Sequence, residues 1–415
     1  MGIILKSFLV FFILLTCSCE HKKNTLQIKV IPVASAVGNY NILNLSYYIA
    51  EIKYIPLETN DSALIGRISQ ISYENGKIFV KSISNNYISD CYLFDNNGKF
   101  CLKIGQYGQG PEDYNTLFET FIYDNFIYMM GVRPNKILIY NTNGLLVENI
   151  KVQINEITEN HNEYFFHHII PLKENIFVVN VESPYGHYPK AILLETNQSN
   201  SKTIKEYTNY VKLNKTKPST GICEVGNMYR YKDEVRAYKA LNDTIFTIGQ
   251  NMEMKEAFVF DLGKYRPTIS YIEQKEPDIN FNNYIIPDKI FESSGFLFIN
   301  FFTGNYTHEL FEQVSRHGWQ SDNNITYGVF DKKTGKLALM KQPVKGKLGF
   351  KNDFDNGPVI WPHYISSNNE LVTHILVEDF LEYYDKIENP TPQLREIAKN
   401  AEMDDNPIII VAKLK

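Results

Sequence analysis

Tyr92-Leu93-Phe94-Asp95-Asn96-Asn97-Gly98-Lys99 is an apolar strand that runs into a polar turn containing glycine. The same pattern recurs at Ile139–Gly144 and at Val329–Lys336, and the first two copies lie 46 residues apart, from Asp95 to Asn141. A period of this length is typical of a repeated unit that cannot bury its own apolar face. Units of four short strands that stack around an axis form a β-propeller. The repeat therefore predicts an all-β ring of blades.

The strand and turn pattern divides residues 45–415 into six blades of four strands each. Five blades are continuous in the sequence: Ile68–Gly105, Phe118–Val152, Phe166–Tyr207, Met228–Asp261 and Lys289–Lys341. The sixth has three strands near the C-terminus, ending with Pro407–Leu414, and Tyr48–Pro56 is left over before the first blade. Pairing these two strands would remove an exposed edge. We therefore predict a six-bladed β-propeller whose last blade is closed by an N-terminal strand. A helix is also predicted in this blade, with Thr391 as its N-cap and Pro392 at its first position.

Composition supports a folded all-β chain and excludes one class of partner. The 415 residues are 44% hydrophobic and 13% aromatic, which is enough for a large core. The net charge is −5, with 42 Lys and Arg against 47 Asp and Glu, so the chain lacks the basic stripe that nucleic-acid binding requires. Cys91, Cys101 and Cys223 are too few for a disulfide scaffold.

The N-terminus has the features of a secretory signal. Lys6 precedes an apolar run from Phe8 to Leu15, which is too short to span a bilayer. Ser18 before Cys19 suits bacterial lipoprotein processing, so Cys19 is the predicted lipidation site, with Cys17 as the alternative. This interpretation gives a signal peptide at 1–18, a tether at 19–44 and a propeller at 45–415. The protein would contact the membrane only through its lipid anchor.

Gly105-Gln106-Tyr107-Gly108-Gln109-Gly110-Pro111-Glu112-Asp113-Tyr114 follows the first repeated turn. This stretch resembles the Gly-Gln-Gly-Pro-Gly-Glu-Tyr signature of the six-bladed β-propeller lipoproteins of Bacteroidota, although Glu112 and Asp113 stand where that family has Gly and Glu. The segments Ile55–Thr59 and Asn406–Ile410 also resemble the ends of that family. The resemblance implies an exported lipoprotein with an NHL-like propeller, and it implies no established chemistry. From the residues themselves, Asp113 is expected to accept backbone N–H bonds within a tight turn.

The insertion at residues 303–325, within the fifth blade, carries the first group of candidate ligand-binding residues: Tyr306, Arg316, His317 and Trp319. Aromatic rings mixed with Arg and His in a long loop suit stacking and hydrogen bonding to a sugar or peptide. The alternative is a loop that covers the flank of the ring with Trp319 as its plug.

The second group of candidates is Trp361, His363, Arg133 and Arg230, which we expect to line the central channel because the innermost strand of each blade faces the axis. Solvated surface charge is the alternative for the two arginines. No histidine or cysteine spacing predicts a metal site or a cofactor, and no motif predicts a catalytic residue.

These observations favour a cell-envelope binding or interaction module for a glycan, a peptide or a partner protein. A propeller enzyme, a lyase or hydrolase with its site in the channel, and a structural assembly protein are the alternatives. An enzyme predicts several His, Asp or Glu side chains that converge on the axis. An assembly protein predicts an apolar patch on the outer surface.

Overall fold

The computed structural model describes residues 28–84, 86–132, 135–152, 165–182, 189–197, 199–210, 226–239, 242–267, 281–314 and 320–415. Most of their regular structure is β-strand, and successive strands pair antiparallel as meanders. The protein is therefore all-β with a propeller-like arrangement. Among the helices of these residues, none is long and apolar enough to cross a membrane.

The strands form five main sheets, which we number along the chain. Sheet 1 contains Arg67–Glu74, Lys77–Ile83, Ser89–Asp95 and Phe100–Lys103. Sheet 2 contains Thr116–Tyr123, Phe126–Val132, Lys136–Asn141, Leu146–Lys151, Phe165–Lys173, Ile176–Glu182, Ala191–Asn197 and Asn200–Tyr207. Sheet 3 contains Lys29–Ile31, Gly226–Tyr231, Glu234–Lys239, Thr244–Ile248 and Met254–Phe260. Sheet 4 contains Tyr40–Asn41, Ile286–Glu292, Phe296–Phe302, Ile325–Asp331 and Lys336–Met340. Sheet 5 contains Ile49–Pro56, Tyr364–Ile365, Glu370–Ile375 and Ile408–Leu414.

Short elements complete the described structure. A separate hairpin pairs Phe311–Val314 with Gln320–Asn323. The α-helices are Val33–Ala36, Val377–Tyr384 and Pro392–Asn400. The 3-10 helices are Leu45–Tyr47, Gly263–Tyr265, Phe281–Asn283 and Gly304–Tyr306.

The repeated turn has one local cause in all three copies. The side chain of the first residue accepts two backbone N–H bonds from the turn that follows it. These bonds run to Asp95 from Asn97 and Lys99 (2.8 and 3.0 Å), to Asn141 from Asn143 and Leu145 (both 3.0 Å), and to Asp331 from Lys333 and Thr334 (2.7 and 3.0 Å). Asp and Asn favour such turns because the short side chain mimics a backbone acceptor.

The glycines of two of these turns provide a matched test of how sheet 1 meets sheet 5. Gly98 and Gly335 both have positive φ, +81° and +70°, where a side chain is strained. A Cβ on Gly98 would lie 2.0 Å from the carbonyl oxygen of Pro56, whereas a Cβ on Gly335 would meet nothing within 4 Å. We expect Gly335→Ala to cost about 1 kcal/mol and Gly98→Ala about 3 kcal/mol or more, measured by chemical unfolding. Equal costs would mean that the turn of sheet 1 does not pack on the end of Ile49–Pro56.

The number of separate blades differs from the prediction. Four sheets of the described structure, sheets 1, 3, 4 and 5, have the size of single blades, rather than the six expected. The predicted second and third blades are joined in sheet 2, because their outer strands pair in parallel at Lys151 and Asn200. The N–H of Lys151 donates to Ser199 at 2.9 Å and its carbonyl accepts from Ser201 at 3.1 Å. These bonds protect two edges that would otherwise be open.

The first strand of each four-strand meander neighbours the first strand of the next. In order, these first strands are Arg67–Glu74, Thr116–Tyr123, Phe165–Lys173, Gly226–Tyr231, Ile286–Glu292 and Tyr364–Ile365, and the last neighbours the first. They run in the same direction: Asn227 bonds Ile290 (3.2 Å) and, two residues further along each strand, Tyr229 bonds Glu292 (3.1 Å). The first strands therefore enclose an axis. We call the end where they begin the leading end and the other the trailing end.

Bulges interrupt several first strands near their beginnings. The register shifts fall at Ile68/Gln70, Leu117/Glu119, Phe166/Ile169 and Pro287/Ile290. A bulge frees backbone groups from the ladder, and side chains of the neighbouring meander bond them. The buried ammonium of Lys81 donates to the carbonyl of Leu117 at 2.7 Å, and the carboxylate of Glu119 accepts from the N–H of Ile169 at 3.1 Å. Polar residues thus fasten one meander to the next.

Residues 28–44, which the sequence analysis placed in the tether, lie along the outer edges of sheets 3 and 4. Lys29–Ile31 pairs in parallel with Met254–Phe260, and Tyr40–Asn41 pairs in parallel with Lys336–Met340. The outer strands would otherwise present unpaired backbone groups to solvent. This part of the predicted tether is therefore folded against the sheets.

The two ends of the chain meet in sheet 5. Ile49–Pro56 pairs antiparallel with Ile408–Leu414 from Pro56↔Ile408 to Ile49↔Leu414, which confirms the predicted closing strand. The helix Pro392–Asn400 begins as predicted, with the hydroxyl of Thr391 accepting from the N–H of Leu394 at 3.4 Å. The helix Val377–Tyr384 was not predicted, and it packs on sheet 5 through the buried Phe380.

Candidate functional site

Exposed polar side chains lie on the first strands between the leading end and the middle of the axis. They are Arg67, Ser69, Thr116, Asp288, Lys289 and His363, and we call this set the axial mouth. Each belongs to a first strand or, for His363, directly precedes one. Because first strands are the innermost strands of the ring, a solvent-exposed side chain on them faces the central channel.

The charged residues of the axial mouth lack partners in the described part of the chain. The bulge between Pro287 and Ile290 takes Asp288 and Lys289 out of the strand ladder. The side chains of Arg67, Asp288 and Lys289 form no hydrogen bond or ion pair with any described residue. Burial raises the pKa of Asp288, and the nearby charge of Lys289 opposes that shift.

A pair of histidines lies beside these charges. The rings of His363 and His374 are 4.9 Å apart, and Nδ1 of His363 is 2.7 Å from the hydroxyl of Thr373. Burial lowers the pKa of His363 to about 3, with repulsion from His374 and Lys289 adding to the effect, and burial lowers the pKa of His374 to about 4. The residue His363 as a whole is nevertheless exposed to solvent. Both rings are neutral at pH 7.

His374 departs from a pattern shared by other sheets. It is the fifth residue of the second strand in the meander of sheet 5. In other meanders, the side chain at the fifth position of the second strand forms a hydrogen bond with the next meander. These contacts run from Lys81 to Leu117 (2.7 Å), from Tyr238 to Pro287 (3.2 Å) and between Asn300 and Trp361 (2.7 Å). Nδ1 of His374 is buried and has no partner among the described residues. The junction between sheets 5 and 1 therefore has an unused hydrogen-bonding atom close to the axial mouth.

At the trailing end, hydrogen bonds and ring contacts link neighbouring first strands. The buried carboxylate of Glu74 accepts from the hydroxyl of Tyr364 at 2.6 Å and from the N–H of Ser367 at 2.8 Å. The guanidinium of Arg230 lies 4.0 Å from the ring centre of Tyr123 and donates to the carbonyl of Pro171. Arg230 is thus at the trailing end, opposite the axial mouth, and it joins three first strands.

A buried charge cluster lies near the trailing end of the axis, between sheets 3 and 4. The carboxylate of Glu292 is 1% exposed and accepts from Arg236 at 2.9 Å and from Lys332 at 2.7 Å. The hydroxyl of Tyr229 adds a third bond at 3.1 Å. Burial lowers the pKa of Lys332 to about 8, although Glu292 opposes the shift. One carboxylate therefore balances two buried cations.

Trp361 does not line the channel as expected. Its side chain is 6% exposed and stacks on Tyr327 with ring centres 4.6 Å apart. Its Nε1 donates to Asn300 at 2.7 Å, and Phe298 and Phe350 pack around it. The indole is a core residue between sheets 4 and 5, because burying a large aromatic ring with its N–H satisfied is more favourable than exposing it.

Of the four insertion residues, the structure describes Tyr306. Its ring makes an edge contact with Tyr265 at 4.6 Å, and its carbonyl accepts from the hydroxyl of Tyr40. His308 stacks on Tyr40 with ring centres 5.4 Å apart. Tyr306 therefore packs at the flank, against the edge strand Tyr40–Asn41, and does not belong to the axial mouth. Arg316, His317 and Trp319 lie outside the described residues, as do Arg133 and the predicted lipidation site Cys19.

In the loop Gly105–Tyr114, Asp113 has the structural role that the sequence predicts. The carboxylate accepts from the N–H of Gly110 and from the amide of Gln106, both at 2.7 Å. The bond from Gln106 contributes most to lowering the pKa of Asp113. A Cβ on Gly108 would lie 2.2 Å from this carboxylate, so the glycine is required for close approach.

A groove of about 720 Å³ lies away from the axis, where sheets 5 and 1 meet the helix Pro392–Asn400. Its walls include Pro56, Gly98 and Asn406, and the side-chain amide of Asn406 donates to the carbonyl of Glu58 at 2.8 Å. These residues hold the chain ends together, so the groove borders the closure of the ring.

Sequence reasoning found His363 but missed Arg67, Asp288 and Lys289 as members of the axial mouth. Their exposure depends on bulges and on which strands are innermost, and single residues carry no signal of either. The Pro287-Asp288-Lys289 sequence was the available clue, because proline favours bulges and strand edges. Within the described residues, no three His, Cys, Asp or Glu side chains are grouped so as to hold a metal ion.

Comparison with known proteins supports the fold and identifies the family. An inferred exported protein of Bacteroides fragilis NCTC 9343 has a crystal structure with a TM-score of 0.66 and 18% identity, covering 94% of this chain and 100% of that one. A DUF4221 family member from Bacteroides vulgatus has a TM-score of 0.48 and 12% identity, over 88% of this chain and 97% of that one. No curated protein matches the sequence significantly. The family model of the domain of unknown function DUF4934 matches residues 28–413, so this chain belongs to the DUF4934 family.

Proposed function

We propose that this protein is a lipid-anchored binding module of the cell envelope, built on a six-bladed, NHL-like propeller, that engages a glycan, a peptide or a partner protein through its axial mouth. One observation carries the proposal: exposed charged groups on the first strands of the ring have no partner among the described residues, while buried polar bonds and ring contacts occupy the trailing end. Ligand sites are typically concave and contain a few convergent polar groups.

The blade count of six is supported by the order of the first strands. Sheet 2 contains two consecutive four-strand meanders, joined at their outer strands by the single pair Lys151↔Asn200. Counting each meander as one blade gives a ring in which every first strand has a neighbour on both sides.

The envelope location is supported by the sequence before residue 28. Lys6, the apolar run from Phe8 to Leu15 and Ser18 before Cys19 form the pattern of a lipoprotein signal. The similar Bacteroides fragilis protein is inferred to be exported. Mass analysis of the mature N-terminal peptide tests this part of the proposal.

Blocking the axial mouth is expected to abolish ligand binding. Purified full-length protein is tested on glycan and peptide arrays, and each hit is measured again with Thr116→Trp, which adds a bulky ring to an exposed mouth residue. We expect affinity to fall more than about tenfold, because desolvated contacts at a site centre dominate binding. Thr334→Trp is the matched control, since Thr334 is exposed in an outer turn of sheet 4.

Two results would contradict this function. One is that Thr116→Trp, with an unchanged melting temperature, binds every hit as well as the parent. The other is that neither array gives a hit.

A further inference from the structure

We propose that the axial mouth binds a carboxylate group through Lys289, His363 and Arg67, an inference that rests on the proposed function. The three residues lie on, or directly before, three consecutive first strands of the ring. Lys289 lies on Ile286–Glu292, His363 directly precedes Tyr364–Ile365, and Arg67 begins Arg67–Glu74. These strands neighbour one another in that order. The three residues therefore come from neighbouring first strands on one side of the ring.

The two cations of this set differ from others near the axis. Lys81, Arg230 and Lys332 each donate to protein acceptors. The ammonium of Lys289 and the guanidinium of Arg67 are exposed and have no such acceptor among the described residues. Charge-assisted hydrogen bonds to a carboxylate are stronger than bonds between neutral groups, and guanidinium matches the planar carboxylate geometry. These two groups are the free donors at the site.

His363 supplies a neutral donor between them. Its Nδ1 is paired with the hydroxyl of Thr373 at 2.7 Å. When that hydroxyl donates, the ring proton resides on Nε2, which is then available to a ligand oxygen. The buried Nδ1 of His374, which has no partner among the described residues, lies in the adjacent ring, 4.9 Å away between centres.

Asp288 narrows the class of ligand. Its carboxylate is exposed, next to Lys289, and unpartnered among the described residues. A ligand of concentrated negative charge, such as inorganic phosphate, would be repelled by it. A carboxylate with hydroxyl or amide donors nearby would be accepted, because those donors can bond Asp288. An acidic sugar and the C-terminal end of a peptide both have this chemistry.

Isothermal titration calorimetry on the full-length protein tests the inference with paired probes. The pairs are trigalacturonate against galactotriose, and trialanine with a free carboxylate against its amide. We expect the charged member of at least one pair to bind about tenfold or more tightly than its neutral partner, and Lys289→Met and Arg67→Met each to remove about tenfold of that affinity. Lys336→Met, on the outer strand of sheet 4, is the control and should bind as the parent does. The pair that responds identifies the source of the carboxylate.

Several outcomes would overturn the carboxylate site. These are equal affinity for both members of each pair, unchanged affinity in Lys289→Met and Arg67→Met, and effective competition by inorganic phosphate. If Thr116→Trp abolishes binding while the charge variants do not, the axial mouth remains the site and its ligand chemistry is wrong. If neither kind of variant alters binding, the proposed function itself fails.

Discussion

A chain that lacks residues 45–58 is expected to lose its cooperative unfolding transition and to aggregate. This segment contains the strand Ile49–Pro56, whose removal would leave the backbone groups of Ile408–Leu414 unpaired along one side. Buried side chains of the segment, including Leu45, Ile49 and Leu57, would also be lost from the core. An open apolar edge is a template for pairing with other chains. Thermal circular dichroism and size-exclusion chromatography measure the two effects.

Complementation separates loss of the strand from a general effect of truncation. A synthetic peptide of residues 45–58, added during refolding, is expected to restore a soluble species with a sharp transition, because the open edge offers matching hydrogen bonds. A scrambled peptide of the same composition is the control. A truncated chain that melts at the temperature of the parent without any peptide would refute the role of this strand.

Replacing Glu292 with alanine is expected to destabilise the fold by about 3–5 kcal/mol, because it leaves the buried Lys332 without its counter-charge and removes the buried carboxylate that Arg236 bonds. Arg236 and Lys332 are 8% and 9% exposed in their side chains. Glu234→Ala is the matched control: Glu234 also bonds Arg236, at 2.7 Å, but it is 43% exposed. An exposed ion pair contributes at most about 1 kcal/mol. Urea unfolding at pH 7 measures both variants, and equal losses would contradict the buried cluster.

The pH dependence of the Glu292→Ala defect provides an independent check. In the folded parent Lys332 releases its proton near pH 8, below its ordinary value of 10.5, so the folded state gains stability as the pH rises through that window. Removing Glu292 removes the attraction that opposes this shift, so the folded-state pKa of Lys332 falls further. The variant then begins to gain stability at lower pH than the parent. We expect its deficit to shrink between pH 7 and pH 9, and a constant deficit would contradict this account.

Local features of this fold were predictable, whereas most features made by distant contacts were not. The turns at Asp95, Asn141 and Asp331 were found because a side chain bonds the backbone two to four residues away. The cap at Thr391 was found for the same reason. Counting strands was enough to expect the closing strand Ile49–Pro56.

The merging of two predicted blades depends on one pair, Lys151↔Asn200, which leaves no pattern in the sequence. The edge strand Tyr40–Asn41 is two residues long, which is too short for an alternating signal. For the site, solvent exposure was decisive: Trp361 and His363 are two residues apart, yet one is in the core and the other is at the axial mouth. The sequence around these two residues does not indicate which of them is buried and which is exposed.

The closing strand also constrains the order in which the protein can fold. Pro56 and Ile408 are partners separated by 352 positions, and Ile49–Pro56 is synthesised first. At about 5–20 residues per second, this strand waits roughly 20–70 seconds for its partner. Contacts of such long sequence separation form late because they require a large loss of chain entropy. The edge of sheet 5 therefore stays open until the last residues of the chain are available, and the ring closes as a final step of folding.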